Sequence, residues 1–236
     1  MYRKGLEYDE MAKKVIDIYL DYNIKTFPIN VNQVCQKMQI ALIPYSSYQS
    51  PSRELLKKES MSSFYVKPTI SNPATILYND DIGEVGSLGN IRRNIMHEVK
   101  HYVCDDTQDN PDDDLADYFG KYFLAPIPYL IVKGIDNCND IMSIFGVDDE
   151  MSSFIYKNIR NRKKKHGSKI FDYELPLLKH LLGNYYNYYM QNKDFECARD
   201  GILAYHEYIT DENGNRIENH WRQYETSDSR SRRKMQ

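Results

Sequence analysis

The stretch NIMHEVKHYVC, residues 94–104, carries the residue types of a metal site. His97 and His101 stand four residues apart, and Glu98 directly follows the first histidine. On a helix, residues i and i+4 lie one above the other on the same face, so both imidazoles can bind one ion. Glu98 is rotated by about 100° from His97, where it can reach a metal-bound water rather than the metal. The pattern predicts two metal ligands and a general base.

The segment from Ile91 to Cys104 predicts a helix with one side packed into a core. At about 100° per residue, its apolar residues fall within an arc of about 120°. They are Ile91, Ile95, Val99, Tyr102 and Val103. His97 and His101 fall almost opposite this arc, so we expect the helix to present both histidines away from the core. The alternative is a polar, solvated helix face that matches HExxH by chance.

A catalytic zinc site needs a third protein ligand and one position left for water. Residues 111–126, PDDDLADYFGKYFLAP, predict a second helix with an apolar stripe of Leu115, Phe119 and Tyr122. Asp113 and Asp117 lie away from this stripe, so one carboxylate could bind the metal while the other hydrogen-bonds a ligand histidine. We expect the ligand among Asp113, Asp114 and Asp117. The alternative is that these aspartates only favour the start of the helix, where negative charge is stabilising.

Composition excludes several classes of protein. The net charge of −3 over 236 residues argues against nucleic-acid binding by bulk electrostatics. The chain has no apolar run of about 18 residues, so we expect no transmembrane helix. Its charged start, MYRKGLEYDEMAKK, lacks the apolar region of a signal peptide. The four cysteines form no CxxC pair. We therefore expect a cytoplasmic protein with reduced thiols.

The order of the predicted elements is helices, a short sheet, then helices, which is typical of an α+β fold. We expect early helices at 7–22 and 31–39, and strands at 40–45, 62–66 and 74–78. A glycine-rich loop at 83–90 leads into the HEVKH helix, and an acidic loop at 105–111 leads into a helix at 112–125. Two short helices are expected within 137–166, a tyrosine-rich helix at 173–192, and a mobile polar tail at the end.

Together these motifs resemble the ImmA/IrrE metallo-endopeptidases. The resemblance rests on HEVKH, on DDDLADYFGKYFLAP after a short acidic loop, and on the preceding strand ATILYND. FGVDDEMSSFIYKNIRNR is similar to the family's helix-turn-helix-like C-terminal segment. The resemblance covers roughly residues 7 to 165. It implies a zincin-like metallopeptidase domain at 1–130 with a small sheet and an HExxH helix. We expect a helical region with the helix-turn-helix-like segment at 131–210, and the composition beyond the resemblance predicts a polar tail at 211–236.

The resemblance also implies roles for individual residues. His97, His101 and Asp113 would bind Zn²⁺, and Glu98 would be the catalytic base. The family's third ligand is usually a glutamate, so Asp113 is one methylene shorter and Asp114 remains an alternative. Lys100 stands where a small residue is usual, which could narrow or charge the cleft. The implied activity is cleavage of a regulatory protein, often a helix-turn-helix repressor encoded on a phage or mobile element.

A different class of function stays open beside the peptidase. The chain could be a catalytically inactive regulator that uses a peptidase fold to bind a protein partner or DNA. The basic residues 157–169, KNIRNRKKKHGSK, could contact DNA phosphates, although a solvated helix face is the commoner role of such a run. Cys104 falls on the histidine side of its helix and could act as an additional thiolate ligand; a small buried residue is the commoner role. The oligomeric state does not follow from the sequence.

Overall fold

The computed structural model describes residues 2–106, 112–187, 208–210 and 216–218. Over these ranges the fold is mixed α+β, mostly helical with a small three-stranded sheet. Among the residues so described, no helix has the length and apolar character needed to cross a membrane. The described cysteines, Cys35, Cys104 and Cys138, are free thiols, and Cys197 lies outside the described ranges.

The helices and strands follow one another along the chain, and their bounds define the labels used below. The helices are α1 (Tyr2–Asp21), α2 (Val31–Lys37), α3 (Ser52–Glu59), α4 (Ile82–Val85), α5 (Leu88–Cys104), α6 (Asp113–Leu124), α7 (Ile127–Lys133), α8 (Cys138–Phe145), α9 (Asp149–His166) and α10 (Leu175–Leu182). The strands are β1 (Ala41–Pro44), β2 (Ser63–Val66), β3 (Thr75–Tyr78), β4 (Tyr208–Thr210) and β5 (Arg216–Glu218).

The three-stranded sheet has the order β1-β3-β2, so β2 lies at an edge. Strand β1 runs parallel to β3, with Ala41 opposite Thr75, and β2 runs antiparallel to β3, with Ser63 opposite Tyr78. The strands are rich in β-branched and aromatic residues, which suit a pleated, half-buried surface. Helix α5 packs against β2 and β3, so the sheet lies beside the HEVKH helix. Strands β4 and β5 pair antiparallel with each other.

Helices α5 and α6 form the most extensive helix pair, and one glycine permits their close approach. A Cβ placed on Gly120 would lie 3.1 Å from the carbonyl oxygen of Arg93 and 3.4 Å from the backbone nitrogen of His97. Helix α1 also packs on α6, where the Tyr19 hydroxyl donates a hydrogen bond of 2.6 Å to the Phe123 carbonyl. The core therefore fixes α6 against the helix that carries both histidines.

The helices that follow α6 are joined to the same hydrophobic core. Met151, Ile155 and Ile159 make the buried face of α9. A buried ion pair holds the end of this helix to the next turn: Arg162 Nη1 and Nη2 donate to Glu174 at 2.5 and 2.6 Å. Glu174 is fully buried. This pair fixes the connection from α9 to α10.

The structure confirms most predicted elements and corrects several. Each predicted strand lies within a residue or two of β1, β2 or β3, and α6 matches the predicted 112–125 closely. The prediction of a loop at 83–90 was wrong in part, because Asp81 caps α4 and Ser87 caps α5 there. Helices α3 and α7 were not predicted. The second helix within 137–166 is not short, since α9 runs for 18 residues.

The tyrosine-rich helix predicted at 173–192 was also wrong in its limits over residues 173–187, and residues 188–192 lie outside the described ranges. Helix α10 spans only Leu175–Leu182, with a 3-10 turn on each side. Pro176 in its first turn favours the start, and Gly183 at φ 54° ends it. The predicted acidic loop at 105–111 and tail at 211–236 lie largely outside the described residues. Within the tail, Arg216–Glu218 forms a strand, not irregular chain.

Candidate metal centre

HEVKH lies within α5, and the ends of this helix explain how the motif is held. The Ser87 side chain caps the first turn by accepting a hydrogen bond from the Asn90 amide. Asp105 ends the helix in the left-handed conformation, at φ 50° and ψ 41°. That reversal lets the Asp106 amide bond back to the His101 carbonyl at 3.1 Å. The chain after the helix is thereby turned back toward the second histidine.

Three side chains converge where the sequence predicts a metal. His97 Nε2 and His101 Nε2 each lie 3.8 Å from Asp113 Oδ1. All three ligand atoms lie within 4.8 Å of one another. Donor atoms around a tetrahedral zinc lie about 3.3 Å apart, because each bond is about 2.0 Å long. The Asp113 side chain is 71% exposed, so it has room to rotate inward by the small distance required. The group can therefore hold a metal ion.

Two further carboxylates set which ring nitrogens face the metal position. Asp117 Oδ1 lies 3.1 Å from His97 Nδ1, and Asp106 Oδ2 lies 2.8 Å from His101 Nδ1. A carboxylate only accepts, so Nδ1 of each histidine is the donor, and in the neutral imidazole this leaves the Nε2 lone pair for a metal. The hydrogen bond from His97 holds the pKa of Asp117 below its ordinary value. This arrangement of histidine and carboxylate is typical of metal sites.

The local charge also favours a cation. Burial raises the pKa of Asp106, but hydrogen bonds from Lys100 and His101 outweigh that effect, and the pKa lies below its ordinary value. Asp106 and Asp117 are therefore negatively charged at neutral pH. Asp113 and Glu98 line the cleft at the position on which the two imidazoles converge, and Asp106 and Asp117 lie on the Nδ1 side of the rings. A divalent cation would offset this concentration of negative charge.

Glu98 lies beside the metal position but does not belong to the ligand group. It is 7% exposed and lines the same cleft as His97 and His101. Ser63 Oγ, from the edge strand β2, donates a hydrogen bond of 2.9 Å to Glu98 Oε1. No other side chain within the described ranges donates to this carboxylate. Ser63 thus fixes one oxygen of Glu98 and leaves the other for chemistry.

The cleft around these residues has a volume of about 580 Å³. Its described lining comes from α5, β2 and the ends of neighbouring elements, and comprises Glu59, Ser60, Ser62, Ser63, Phe64, Tyr65, Lys67, His97, Glu98, His101, Asp106 and Asp113. Tyr65 is the one tyrosine of this lining. Burial, followed by the nearby Tyr102 and Asp105, raises its pKa, so its hydroxyl remains a donor at neutral pH.

The edge of β2 that faces away from β3 offers backbone groups to a ligand. The Asn79 amide donates to the Ser62 carbonyl at 2.7 Å, so Ser62, Phe64 and Val66 direct their backbone groups toward β3. In an antiparallel pair the alternate residues point the other way. The Tyr65 amide and carbonyl therefore face the free edge. Because β2 also lines the cleft, an extended peptide paired with this edge would pass beside Glu98.

The structure distributes separate roles among the aspartates that the sequence left as alternatives. Asp112 caps α6 by accepting a hydrogen bond from the Leu115 amide at 3.1 Å. Asp113 joins the ligand group, and Asp117 contacts His97 Nδ1. Asp114 lines a different cleft, bounded by α6 and α9. Asp113 is thus the aspartate that could hold a metal ion with the two histidines, and Asp117 is the one that hydrogen-bonds a histidine.

Neither Lys100 nor Cys104 takes the site role that the sequence raised as a possibility, and Cys104 takes the commoner role of a packing residue. Lys100 does not enter the cleft; it is 2% exposed and donates to Asp106 at 2.5 Å and to the Asp112 carbonyl at 3.2 Å. Cys104 does not join the ligand group, because its Sγ lies 4.0 Å from Met11 Sδ on α1. Its half-buried thiol has a raised pKa because of burial. Cys104 is therefore a packing residue.

The sequence reading missed Asp106, Ser63 and Tyr65. Asp106 lies two residues after the end of α5. Its side chain reaches His101 because Asp105 adopts the left-handed conformation and turns the chain back. An aspartate at the end of an HExxH helix was the one available signal. Ser63 and Tyr65 reach the site only through the pairing of β2 beside α5, which the local sequence does not indicate.

Comparisons of the chain with protein-family models, curated proteins and solved structures gave no match.

Proposed function

We propose that this chain is a zinc-dependent endopeptidase with a zincin-like architecture. The observation that carries the proposal is the convergence of His97, His101 and Asp113, with Glu98 beside them and a peptide-sized cleft in front. Two imidazoles and a carboxylate are the ligand types that catalytic zinc uses, whereas magnesium and calcium prefer oxygen ligands. The ImmA/IrrE resemblance suggests the substrate class, a regulatory protein such as a helix-turn-helix repressor.

The chain's own residues would divide the chemistry of peptide hydrolysis. Zinc held by His97, His101 and Asp113 would supply a Lewis acid that polarises the peptide carbonyl and lowers the pKa of water. Glu98 would take a proton from the attacking water and deliver it to the leaving nitrogen. Ser63 would hold the Glu98 carboxylate in the orientation required. The Tyr65 hydroxyl, protonated at neutral pH, is the candidate donor to the developing oxyanion.

Substrate binding would use the free edge of β2. An extended segment would pair with the Tyr65 backbone and add a strand to the small sheet. Such pairing uses main-chain hydrogen bonds, so the flanking side chains of the cleft would set specificity. The segment must be extended to bind in this way, which favours cleavage at an exposed linker over cleavage within a folded domain.

The second candidate is a regulator that binds a partner without catalysis. Helices α8 and α9 pack together around Gly146, and α9 carries exposed basic residues near its end. Those features suit either candidate, and the helix-turn-helix-like assignment stays a prediction. The arrangement of Ser63 and Glu98 favours the peptidase, since a binding module does not require an oriented base beside a metal position.

The first prediction separates the two candidates with Glu98→Gln. This change keeps the size of the side chain and removes the base, so we expect bound zinc to remain while cleavage falls by about 10²–10⁴-fold. Zinc is measured by atomic absorption and cleavage with a library of internally quenched peptides. Glu150→Gln on the exposed start of α9 is the matched control and should behave as the unmodified chain. Undiminished cleavage by zinc-loaded Glu98→Gln would rule out the mechanism.

A further inference from the structure

Lys100 is a buried cation that the catalytic scheme does not use. It lies within HEVKH, one position before His101, yet its side chain is 3% exposed and it is not among the residues that line the cleft. Burying an ammonium group is unfavourable unless it is paired and hydrogen-bonded. The contacts of this amine should therefore explain why a lysine is present.

The Lys100 amine contacts the two ends of the connection between α5 and α6. At the α5 end it donates to Asp106 Oδ2 at 2.5 Å, and this same oxygen accepts from His101 Nδ1 at 2.8 Å. At the α6 end it donates to the carbonyl of Asp112 at 3.2 Å. Asp112 is the residue directly before Asp113. One amine therefore contacts the partner of one candidate ligand and the backbone beside another.

The side chain of Asp113 is short, which makes the backbone contact important. One methylene separates its carboxyl group from Cα, so its reach toward the histidines depends on where the first turn of α6 lies. The hydrogen bond from Lys100 to the Asp112 carbonyl joins that turn to α5. In this position Asp113 Oδ1 stands 3.8 Å from both Nε2 atoms.

We propose that Lys100 is a positioning residue. It holds Asp113 at the distance from His97 and His101 at which an aspartate, and not the longer glutamate, completes the metal site. It orients His101 through Asp106 and holds Asp113 within reach through the Asp112 carbonyl. The inference rests on the proposed metal site and goes beyond it. It assigns control of the distance between Asp113 and the histidines to a residue that would contact neither metal nor substrate. Without the lysine, the first turn of α6 moves outward and a longer ligand becomes the better fit.

A double-mutant cycle tests this coupling through zinc affinity. The variants are Lys100→Met, Asp113→Glu and their combination, and the Kd for Zn²⁺ is measured by competition with a chromogenic chelator. We expect Lys100→Met to raise Kd by at least about tenfold, in the range typical of lost outer contacts. We expect Asp113→Glu to weaken binding in the unmodified chain but to strengthen it in the Lys100→Met background. A purely structural role for Lys100 would not reverse that sign.

The controls keep the result interpretable. Lys57→Met removes another lysine–carboxylate pair, to Glu84 at 2.6 Å, and should leave the Kd unchanged. If Lys100→Met fails to fold without metal, Lys100→Gln replaces it, since the amide keeps a donor but is too short to reach both acceptors. An unchanged Kd for the Lys100 variant, or equal effects of Asp113→Glu in both backgrounds, would overturn this inference alone. Absence of zinc binding by the unmodified chain would overturn the proposed function as well.

Discussion

Each histidine of the candidate centre has two distinct sides, and this division is the main feature at the scale of residues. Nε2 of each ring faces Asp113, and Nδ1 of each ring faces its own carboxylate. The hydrogen bonds at Nδ1 thus fix the orientation of both rings. A polar helix face that matched HExxH by chance would not require both rings to be held in this way. The arrangement supports a metal centre over a solvated surface.

The second prediction concerns the aspartates of α6. Asp117→Asn keeps the shape of the side chain but removes the ionised partner of His97, so we expect the Kd for Zn²⁺ to rise by about 10–100-fold. Asp114→Asn, three residues earlier on the same helix, should leave the Kd unchanged, because Asp114 does not belong to the ligand group and Asp117 is the aspartate that contacts His97 Nδ1. Chelator competition on both variants makes the comparison. Equal Kd values for the two variants would contradict the assigned roles.

At the scale of elements, the centre depends on the contact between α5 and α6. The histidines lie on one helix, and Asp113 and Asp117 lie on the other, so a shift between the helices alters every ligand distance. Gly120 sets this contact, since a Cβ there would press on the backbone of Arg93 and His97. The glycine is required for close approach and not for a special backbone conformation.

The third prediction is that Gly120→Ala weakens metal binding without preventing folding. A contact of 3.1 Å to a backbone oxygen forces the helices apart by a few tenths of an ångström, so Kd for Zn²⁺ should rise by about tenfold. Gly89→Ala provides the control. Its Cβ would lie 2.8 Å from the Asp148 amide, so it should lower stability and leave Kd unchanged. Identical effects of both variants on Kd would show that α5–α6 spacing does not control the site.

What the sequence could predict also differs between elements. HEVKH and the aspartates after Pro111 are local patterns on single helices, and helical periodicity is enough to place them on the correct faces. Ser63, Tyr65 and Asp106 depend on strand pairing or on a left-handed turn, which involve residues distant in sequence or rare conformations. Lys100 illustrates the limit: the family resemblance suggested that it could narrow or charge the cleft, but its burial depends on the positions of Asp106 and Asp112 beside the helix.

At the scale of the whole molecule, the helices after α6 share one hydrophobic core with the metal centre. Their attachment relies partly on the ion pair of Arg162 and Glu174, which is buried and bidentate. Arg162 also donates to the Lys169 carbonyl at 2.8 Å. These contacts hold the turn between α9 and α10, and this turn and α10 pack against α1.

The fourth prediction follows from that burial. Arg162→Met leaves Glu174 charged and unpaired in the core, which should lower the free energy of unfolding by about 3–5 kcal/mol. Combining it with Glu174→Leu removes the isolated charge and should recover most of the loss. Urea unfolding of both variants measures the difference. A single variant as stable as the unmodified chain would contradict the assigned role of the pair.

The fifth prediction, and the most direct test of the account, is the metal content of the purified full chain. The measurement is zinc per chain after incubation with zinc and removal of the excess, beside a His97→Ala variant. The convergence of His97, His101 and Asp113 predicts close to one zinc per chain, lost in the variant. An unmodified chain that is folded but retains no zinc would contradict the metal centre, and with it the proposed peptidase.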